Sequence, residues 1–396
     1  MAIDLHAFIP HLNEESLSTY WPEFQVGAYA LYTDETVYLF HHPAYPGTEQ
    51  SFVQLPWSEE FAGNTSILFH DYPTAIVQMD SGMDENRLYA VLAHELFHGF
   101  QYVKGESRFP DEVLGITYPL VAENVDLRQQ ERLHLYNAVT ATEAEKRKHH
   151  LNQFILYREK RADVIGPYMK YEQLIETVEG PAFYVELNAY VARSGARKDE
   201  EIRSSGELLL DIVDSTRHLR RSCYGSGLFI CLLLDELYSG WQADFMQSEL
   251  TLYEYFRKFV ESVHEKLVAS DSAVDVGELV STIMNERDEG ITDSLQRANY
   301  VLTIHGKIRV TGIDPMNIIA NGKKVLHQNF IRLKMNEQDY LVQQPVIALL
   351  EDSIFRCKHV QIPLNEKPYV VDGQIMIPGI GIIKGRLDEV ESNLWL

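Results

Sequence analysis

The chain has 396 residues, of which 45% are hydrophobic and 23% charged, a composition typical of globular proteins and sufficient for two or three domains. Its formal net charge is −23, so it would repel a polyphosphate, and we expect no nucleic-acid partner. The three cysteines form no C-x-x-C pair and are odd in number. This excludes a disulfide framework and fits a reducing compartment.

The sequence predicts no membrane partner. The amino terminus, MAIDLHAFIPHLNEES, has no basic segment followed by an apolar run, so no signal peptide is visible. The longest apolar run, GLFICLLL, is far too short to span a bilayer. We therefore expect a cytoplasmic protein.

Residues 1–80 have the pattern of short β-strands. The segments GAYALY and TVYLFHH flank the turn TDE in a hairpin-like arrangement. SILFH and TAIVQMD follow, each rich in β-branched or aromatic residues, and Pro- and Gly-containing links separate the strands. We predict that this region is a β-rich lobe of one unit with the helical region after it.

Residues 81–270 are predicted to be mostly helical. One helix should begin near Asp84, a suitable N-cap, and carry apolar side chains at helical spacing from Leu88 to Leu96. It should end by Gly105. Further helices are predicted over about 169–193, 206–213, 225–238 and 249–268.

The charged stretch 121–165 is predicted to form a helical hairpin whose outer faces are solvated. Residues 271–299 are predicted to be a linker or helix. Residues 300–396 alternate in the manner of strands, with Gly, Pro and Asn in the turns, and should form a small all-β domain, a barrel or a sandwich. The predicted fold class is therefore α+β.

The helix that begins near Asp84 contains the motif HELFH, an H-E-x-x-H pattern. Residues four apart lie on one face of a helix, so His94 and His98 can hold one ion. Glu95 is rotated by about 100° and is placed to reach a water on that ion. In such a site two imidazoles bind Zn²⁺, which lowers the pKa of its water from about 15.7 to about 7, and the carboxylate takes a proton from that water. The alternative is a core helix with two hydrogen-bonded histidines.

A catalytic zinc needs a third protein ligand and an open fourth position. A third histidine in the pattern H-E-x-x-H-x-x-G-x-x-H is excluded, because Gln101 stands where that pattern has glycine. A glutamate ligand remains, and the candidates are Glu112, Glu123, Glu176 and Glu179.

The segment EGPAFYVE resembles part of the gluzincins, in the aminopeptidase-like branch of the thermolysin superfamily. In that branch the third zinc ligand is the first Glu of an E-G-x-A-x-Y-x-E segment on a second helix, a pattern that residues Glu179 to Glu186 match. The resemblance implies that Glu179 is the third ligand, with Glu176 as a reserve ligand or a partner that orients a histidine. Gly180 would remove bulk where this helix approaches the first, and Pro181 suits the first turn of a helix.

A second segment, YGSGLFICLLLDEL, resembles the Y-x-x-G segment of the same enzymes, whose tyrosine hydroxyl hydrogen-bonds the oxyanion of the tetrahedral intermediate. Tyr224 and Gly227 take those positions. The resemblance implies that Tyr224 stabilises developing charge, a contribution of about a few kcal/mol. The alternative is one more buried aromatic among 22 tyrosines. His218 and Arg221 are further candidates for this role.

The chain departs from the gluzincin pattern in two places. The 80 residues 99–178 separate the second ligand from the third, far more than in familiar gluzincins, and the charged helical stretch at 106–168 would account for them as an insertion. The segment SGMDEN resembles the G-x-M-E-N segment that anchors a substrate amino terminus in aminopeptidases. It stands directly before the metal-binding helix and has two acidic residues where one is expected, so we do not carry aminopeptidase specificity over.

The leading hypothesis is a cytoplasmic zinc metallopeptidase with a thermolysin-like catalytic domain. His94, His98 and Glu179 would bind Zn²⁺, Glu95 would be the general base and Tyr224 would stabilise the oxyanion. A peptide or protein substrate would lie along the strand TAIVQMD by β-augmentation. One alternative is a catalytically inactive zincin-fold binding or regulatory protein that works through its β domain. Another is a helical structural protein with a chance motif.

Overall fold

The structure is a computed structural model that describes residues 5, 11–46, 52–79, 84–261, 265–268, 274–314, 317–335, 338–372, 374–384, 387–390 and 393–395. The fold is mixed α+β, as predicted. The chain divides into two compact units. Unit 1 consists of residues 1–110 and 123–271, and unit 2 of residues 111–122 and 272–396.

Unit 1 begins with a helix and a five-stranded sheet. The helix is α1, Glu14–Tyr20, and the strands are β1 Ala28–Tyr32, β2 Thr36–Phe40, β3 Val53–Pro56, β4 Thr65–Phe69 and β5 Tyr72–Gln78. The strand order is β3-β2-β1-β5-β4, with β1 and β5 parallel and the other neighbours antiparallel. The four predicted strands are confirmed, and β3 is an additional one.

Both faces of this sheet are covered, which explains why every residue of β1 is buried. Alternate side chains of a strand point to opposite faces. Tyr29 and Leu31 join the core that the sheet shares with the helices, whereas Ala30 and Tyr32 belong to a smaller apolar cluster on the other face.

The strand that carries TAIVQMD is not a free edge. It is β5, which lies between β1 and β4 and is hydrogen-bonded to both. The prediction that a peptide adds to this strand was therefore wrong, because its backbone groups are already paired. Among the strands that the structure describes, β4 is the edge on this side of the sheet.

The helices that follow α1 in the chain are α2 Glu85–Val103, α3 Glu112–Ile116, α4 Ala122–Thr140, α5 Ala144–Ile165, α6 Pro167–Ser194, α7 Lys198–Ser205, α8 Glu207–Leu210, α9 Ile212–Arg217, α10 Leu219–Leu237, α11 Trp241–Met246, α12 Leu252–Arg257 and α13 Val276–Gln296. The predicted N-cap is confirmed, since the Asp84 side chain accepts a hydrogen bond from the backbone N–H of Arg87. Of the helix predicted over 249–268, the described residues contain α12, and residues 262–264 lie outside the described residues. Among the described helices, none is both long and apolar enough to cross a bilayer.

The predicted helical hairpin forms as α4 and α5, but many of its charged side chains are buried rather than solvated. Four arginines of these helices and three glutamates of α4 and α6 form one ionic network, namely Arg128, Arg132, Arg158, Arg161, Glu131, Glu172 and Glu176. Arg158, for example, donates hydrogen bonds to both Glu176, at 2.7 Å, and Glu131, at 2.8 Å. A buried charge is tolerated only when it is paired and hydrogen-bonded, which explains why these helices are so rich in both signs of charge.

Two glycines let α6 and α10 touch backbone to backbone. A Cβ placed on Gly180 would lie 2.6 Å from the Cα and carbonyl carbon of Gly227, and a Cβ on Gly227 would lie 2.6 Å from the Cα of Gly180. Gly180 therefore serves an approach to α10, rather than the expected approach to the helix with the histidines. The two segments that carry the family resemblance meet at this point.

Unit 2 combines two sheets with α3 and α13. Its strands are β6 Tyr300–Ile313, β7 Ile318–Asn321, β8 Lys324–His327, β9 Ile331–Met335, β10 Gln338–Val342, β11 Val346–Leu350, β12 Arg356–Leu364, β13 Tyr369–Val371, β14 Gln374–Ile377, β15 Gly381–Ile383, β16 Asp388–Val390 and β17 Asn393–Trp395. Seven strands follow the order β10-β9-β6-β12-β11-β8-β7, β17 pairs with β6 and β16, and β13, β14 and β15 form a second sheet.

The core of unit 2 draws apolar side chains from both sheets. In the described residues the end strands β10 and β7 are not paired with each other, so the larger sheet is open and does not close into a barrel. Val113 and Ile116 of α3 pack against this core, and Ile291 of α13 packs on Leu326 and Ile347. These contacts explain why residues 111–122, which the sequence placed in the helical core, belong to unit 2.

Gly180→Ala is expected to lower the free energy of unfolding by about 1–3 kcal/mol, the usual cost of overpacking, because the new Cβ would force α6 and α10 apart. Urea titration followed by circular dichroism measures the change. Gly99→Ala in α2 is the matched control. The nearest atom to its new Cβ is Ser66 Oγ at 3.7 Å, and alanine is favoured over glycine within a helix by about 0.5–1 kcal/mol. Equal stabilities of the two variants would contradict the packing argument.

Glu131→Gln is expected to lower the free energy of unfolding by about 3–5 kcal/mol, because it leaves Arg158 and Arg161 buried with one charge partner fewer. Burial alone would raise the pKa of Glu131, but the surrounding arginines hold it well below its usual range. The contribution of Glu131 is thus complete above its unfolded value of about 4.3 and is lost as the pH falls below it. Unfolding should be measured for both proteins between pH 7 and pH 3. The difference in free energy of unfolding between the wild type and Glu131→Gln should shrink as the pH falls.

The control for Glu131→Gln is Glu143→Gln, which removes an exposed partner of Lys146 next to the same helices. Its effect on the free energy of unfolding should stay within about 0.5 kcal/mol. An equally large effect of both substitutions would show that burial of the network is not the cause.

Candidate metal centre

Three of the predicted ligand side chains meet at one point. His94 Nε2 lies 3.1 Å from His98 Nε2, and Glu179 Oε2 lies 3.3 Å from His98 Nε2 and 3.6 Å from His94 Nε2. A tetrahedral zinc with bonds of about 2.0–2.1 Å keeps its ligand atoms about 3.3–3.4 Å apart. The three atoms therefore have the separations that a single ion requires, and this donor set fits Zn²⁺.

Two helices bring these side chains together. His94 and His98 lie one turn apart on α2, and Glu179 comes from α6. Glu179 is in the middle of α6, and Pro181 is an internal proline of that helix. The expectation that this segment begins a helix was wrong, because the helix starts with another proline, Pro167.

Each histidine ring has a partner on the side that faces away from the other ligands. His98 Nδ1 is hydrogen-bonded to Gln101 Oε1 at 2.8 Å, and Gln101 Nε2 donates to the Val178 carbonyl at 2.8 Å. His94 Nδ1 lies 3.0 Å from Glu186 Oε2, close enough for an ion pair but off the line of a hydrogen bond. Such partners fix the ring orientation of metal-binding histidines. Gln101 in addition ties α2 to α6.

Carboxylates strongly shift the pKa values at this centre. Burial alone would lower the pKa of His94, but Glu179, Glu186 and Glu95 outweigh burial and raise that pKa to about 10. Burial would raise the pKa of Glu179, yet His98 and His94 hold it well below its usual range. Three carboxylates therefore act on the two imidazoles.

Glu95 lies beside the three ligand atoms. It is buried, and one carboxylate oxygen lies within 4.8 Å of ring nitrogens of both His94 and His98. Burial raises the pKa of Glu95, and the two histidines only partly offset the effect. Glu95 thus lies next to the three converging atoms, one residue after His94.

Tyr224 also belongs to this centre. Its hydroxyl accepts a hydrogen bond from Arg220 Nε at 2.9 Å, and Arg220 Nη2 donates to Glu179 Oε1 at 3.3 Å. Burial, and next the charge of Glu179, raise the pKa of Tyr224. The ring of Phe183 is 5.3 Å from Tyr224 and 5.0 Å from His94, so one aromatic side chain packs on both residues.

Arg220 is the functional candidate that the sequence analysis missed. The available signal was its position four residues before Tyr224, on the same face of a helix. His218 and Arg221, which the sequence analysis named instead, both pair with Asp214.

Glu176 is not at the metal centre. Both of its oxygens accept hydrogen bonds from Arg158, and one also accepts from Arg132 and Ser226. The prediction of a reserve ligand or a histidine partner was therefore wrong, because the buried ionic network uses all of this carboxylate. The role of histidine partner falls to Glu186 and Gln101. Of the other candidates, Glu123 is exposed at the start of α4.

A scan against protein-family models and searches of curated proteins and of solved structures return no match for this chain. The gluzincin resemblance therefore rests on the sequence motifs described above.

Glu179→Ala should abolish stoichiometric zinc binding, and Glu186→Gln should weaken zinc affinity by about 10- to 100-fold, the usual effect of removing a histidine partner. Competition with a fluorescent zinc chelator measures both. Glu123→Gln is the matched control and should leave the affinity unchanged. Retention of full affinity in Glu179→Ala would remove Glu179 from the ligand set.

Proposed function

We propose that the protein is a zinc-dependent peptidase. The observation that supports the proposal is the convergence of His94 Nε2, His98 Nε2 and Glu179 Oε2, with the Glu95 carboxylate beside them. Zn²⁺ held by these atoms would supply Lewis-acid chemistry, acidifying a water molecule and polarising a peptide carbonyl. Proton transfer and stabilisation of negative charge would be carried out by side chains of the protein.

Glu95 is the proposed general base. Its carboxylate is buried next to the ligands but is not one of the three converging donors. It can take a proton from the attacking water and pass that proton to the leaving amine, which lets one side chain serve both halves of the hydrolysis.

Tyr224 and Arg220 are the proposed stabilisers of developing negative charge. The Tyr224 oxygen accepts a hydrogen bond from Arg220, and its phenolic proton, which interacts with Glu179, would turn to a substrate oxyanion. A donor aimed at the atom that gains charge is among the strongest contributions to catalysis. The Arg220 guanidinium places a fixed positive charge beside this donor.

The proposed substrate strand adds to β4, the edge strand, and not to β5. Ser66 of β4 is the side chain nearest to Gly99, the residue that follows His98. A peptide hydrogen-bonded to the free edge of β4 would thus run close to the metal helix. We place this activity in the cytoplasm, a reducing compartment, since Cys223, Cys231 and Cys357 are buried and unpaired.

Glu95→Gln should retain one zinc per chain and lose about 10²- to 10⁴-fold in hydrolysis of a mixed peptide library, because the base is gone while the ligands remain. Mass spectrometry of the products and metal analysis by plasma emission are the two measurements. Tyr102→Phe, an exposed change on the same helix, is the activity control, and a chelator should abolish wild-type hydrolysis.

Two results would contradict the proposal. A purified protein of ordinary stability that binds no zinc would exclude the metal centre. Stoichiometric zinc without chelator-sensitive hydrolysis would instead favour the inactive binding or regulatory protein.

A further inference from the structure

A cavity of about 460 Å³ lies next to the metal centre. It is lined by residues of α2, α6, α7, α8 and α10, together with the start of α9. Two of its lining residues, Phe183 and Glu186, are the same ones that contact His94. Its size falls in the range of sites that enclose small molecules or single side chains, about 300–1,000 Å³.

The wall of this cavity carries an excess of negative charge. Two arginines face five carboxylates, which are Glu186, Glu201, Glu207, Asp211 and Asp214. Glu201 is half-buried, Glu207 is exposed, and neither forms an ion pair within the described part of the chain. Both carboxylates are therefore open to a cationic ligand.

Part of the remaining lining is apolar, and Ser204, Ser205 and Tyr190 add hydroxyl groups to it. Phe183 and the leucines Leu187, Leu208 and Leu228 contribute the apolar part. A ligand with a short hydrocarbon stem and a positive end would satisfy both parts of the wall, because the stem covers apolar surface while the charged end meets carboxylates. A neutral polar ligand would leave the carboxylates without a charge partner.

One cationic side chain of the protein already contacts this wall. The guanidinium of Arg87 lies 4.2 Å from the ring centroid of Tyr190, and its Nη1 is 3.9 Å from Glu186 Oε1. Both partners line the cavity. The Arg87 side chain is 48% exposed, so it occupies the margin of the cavity and does not fill it. An aromatic face beside a carboxylate is a recurrent arrangement for binding a guanidinium.

We propose that this cavity is the pocket for a lysine or arginine side chain of the peptide substrate. This inference rests on the proposed peptidase function, since it assigns the specificity of the same centre. Glu186 joins the cavity to the candidate metal centre. One of its oxygens contacts His94, and the other contacts the Arg87 guanidinium at the cavity wall. Glu201 and Glu207 would bind the charged end of the substrate side chain.

The test measures binding separately from hydrolysis. Zinc-loaded Glu95→Gln protein is titrated calorimetrically with two blocked alanine pentapeptides, one with a central arginine and one with a central citrulline. Citrulline has nearly the same shape as arginine without its charge. The arginine peptide should bind roughly tenfold tighter or more, as expected for hydrogen bonds to a charged group.

The variant that tests the pocket combines Glu201→Gln with Glu207→Gln, and the preference for arginine should fall to less than about threefold in it. Glu200→Gln is the matched control. Glu200 lies on the same helix as Glu201, but it pairs with Arg197 and does not line the cavity. Unchanged thermal unfolding of all three proteins verifies their folding.

Equal binding of the two peptides, or an arginine preference that survives the double substitution, would overturn the pocket assignment. Hydrolysis by the wild-type protein is scored independently with the same peptides. If neither is cleaved, the peptidase proposal fails even where the arginine preference is observed. If both are cleaved equally well and bound equally well, the peptidase proposal stands and the pocket assignment fails.

Discussion

The contact between Gly180 and Gly227 is the constraint on which the candidate metal centre depends. Only two residues without Cβ atoms allow the backbones of α6 and α10 to meet at this distance. The contact sets Glu179, next to Gly180, beside Tyr224 and Arg220, which precede Gly227 by three and seven residues. The position of each of these three side chains relative to the histidines therefore follows from a meeting of two helix backbones.

Helix α6 contributes carboxylates to two charged clusters. The clusters differ in how deeply they are buried and in the residues that pair with the carboxylates. Glu172 and Glu176 neutralise arginines of α4 and α5 in a fully buried network. Glu179 and Glu186, further along, face the histidines of α2. The first cluster carries its own counter-charges and needs no ligand, whereas the second gathers carboxylates around two imidazoles. The first cluster is thus neutralised by buried arginines, whereas the carboxylates of the second contact imidazoles and two arginines nearer the surface.

The parts of this centre that lie within one helix could be predicted from residues that are close together in the sequence. The spacing of His94 and His98, the N-cap at Asp84 and the strand alternation each depend on neighbouring residues, and the structure agrees with them. The match of residues Glu179 to Glu186 to the E-G-x-A-x-Y-x-E segment also favoured Glu179 over Glu176. That Glu176 faces arginines of α4 and α5 could not be predicted, because the contact joins residues 18 and 44 positions apart. The central position of β5 depends in the same way on its pairing with β1, about 45 residues earlier.

The division of the chain between the units has a consequence for its biosynthesis. Residues 111–122 leave the ribosome with unit 1, yet Val113 and Ile116 cover a core whose strands begin only at Tyr300. During translation these apolar side chains can pack on that core only after most of the remaining chain has been made. A fragment that starts at residue 272 would contain every strand of unit 2 and still lack part of its apolar cover. The carboxy-terminal strands are thus not a module that can be detached at a single point.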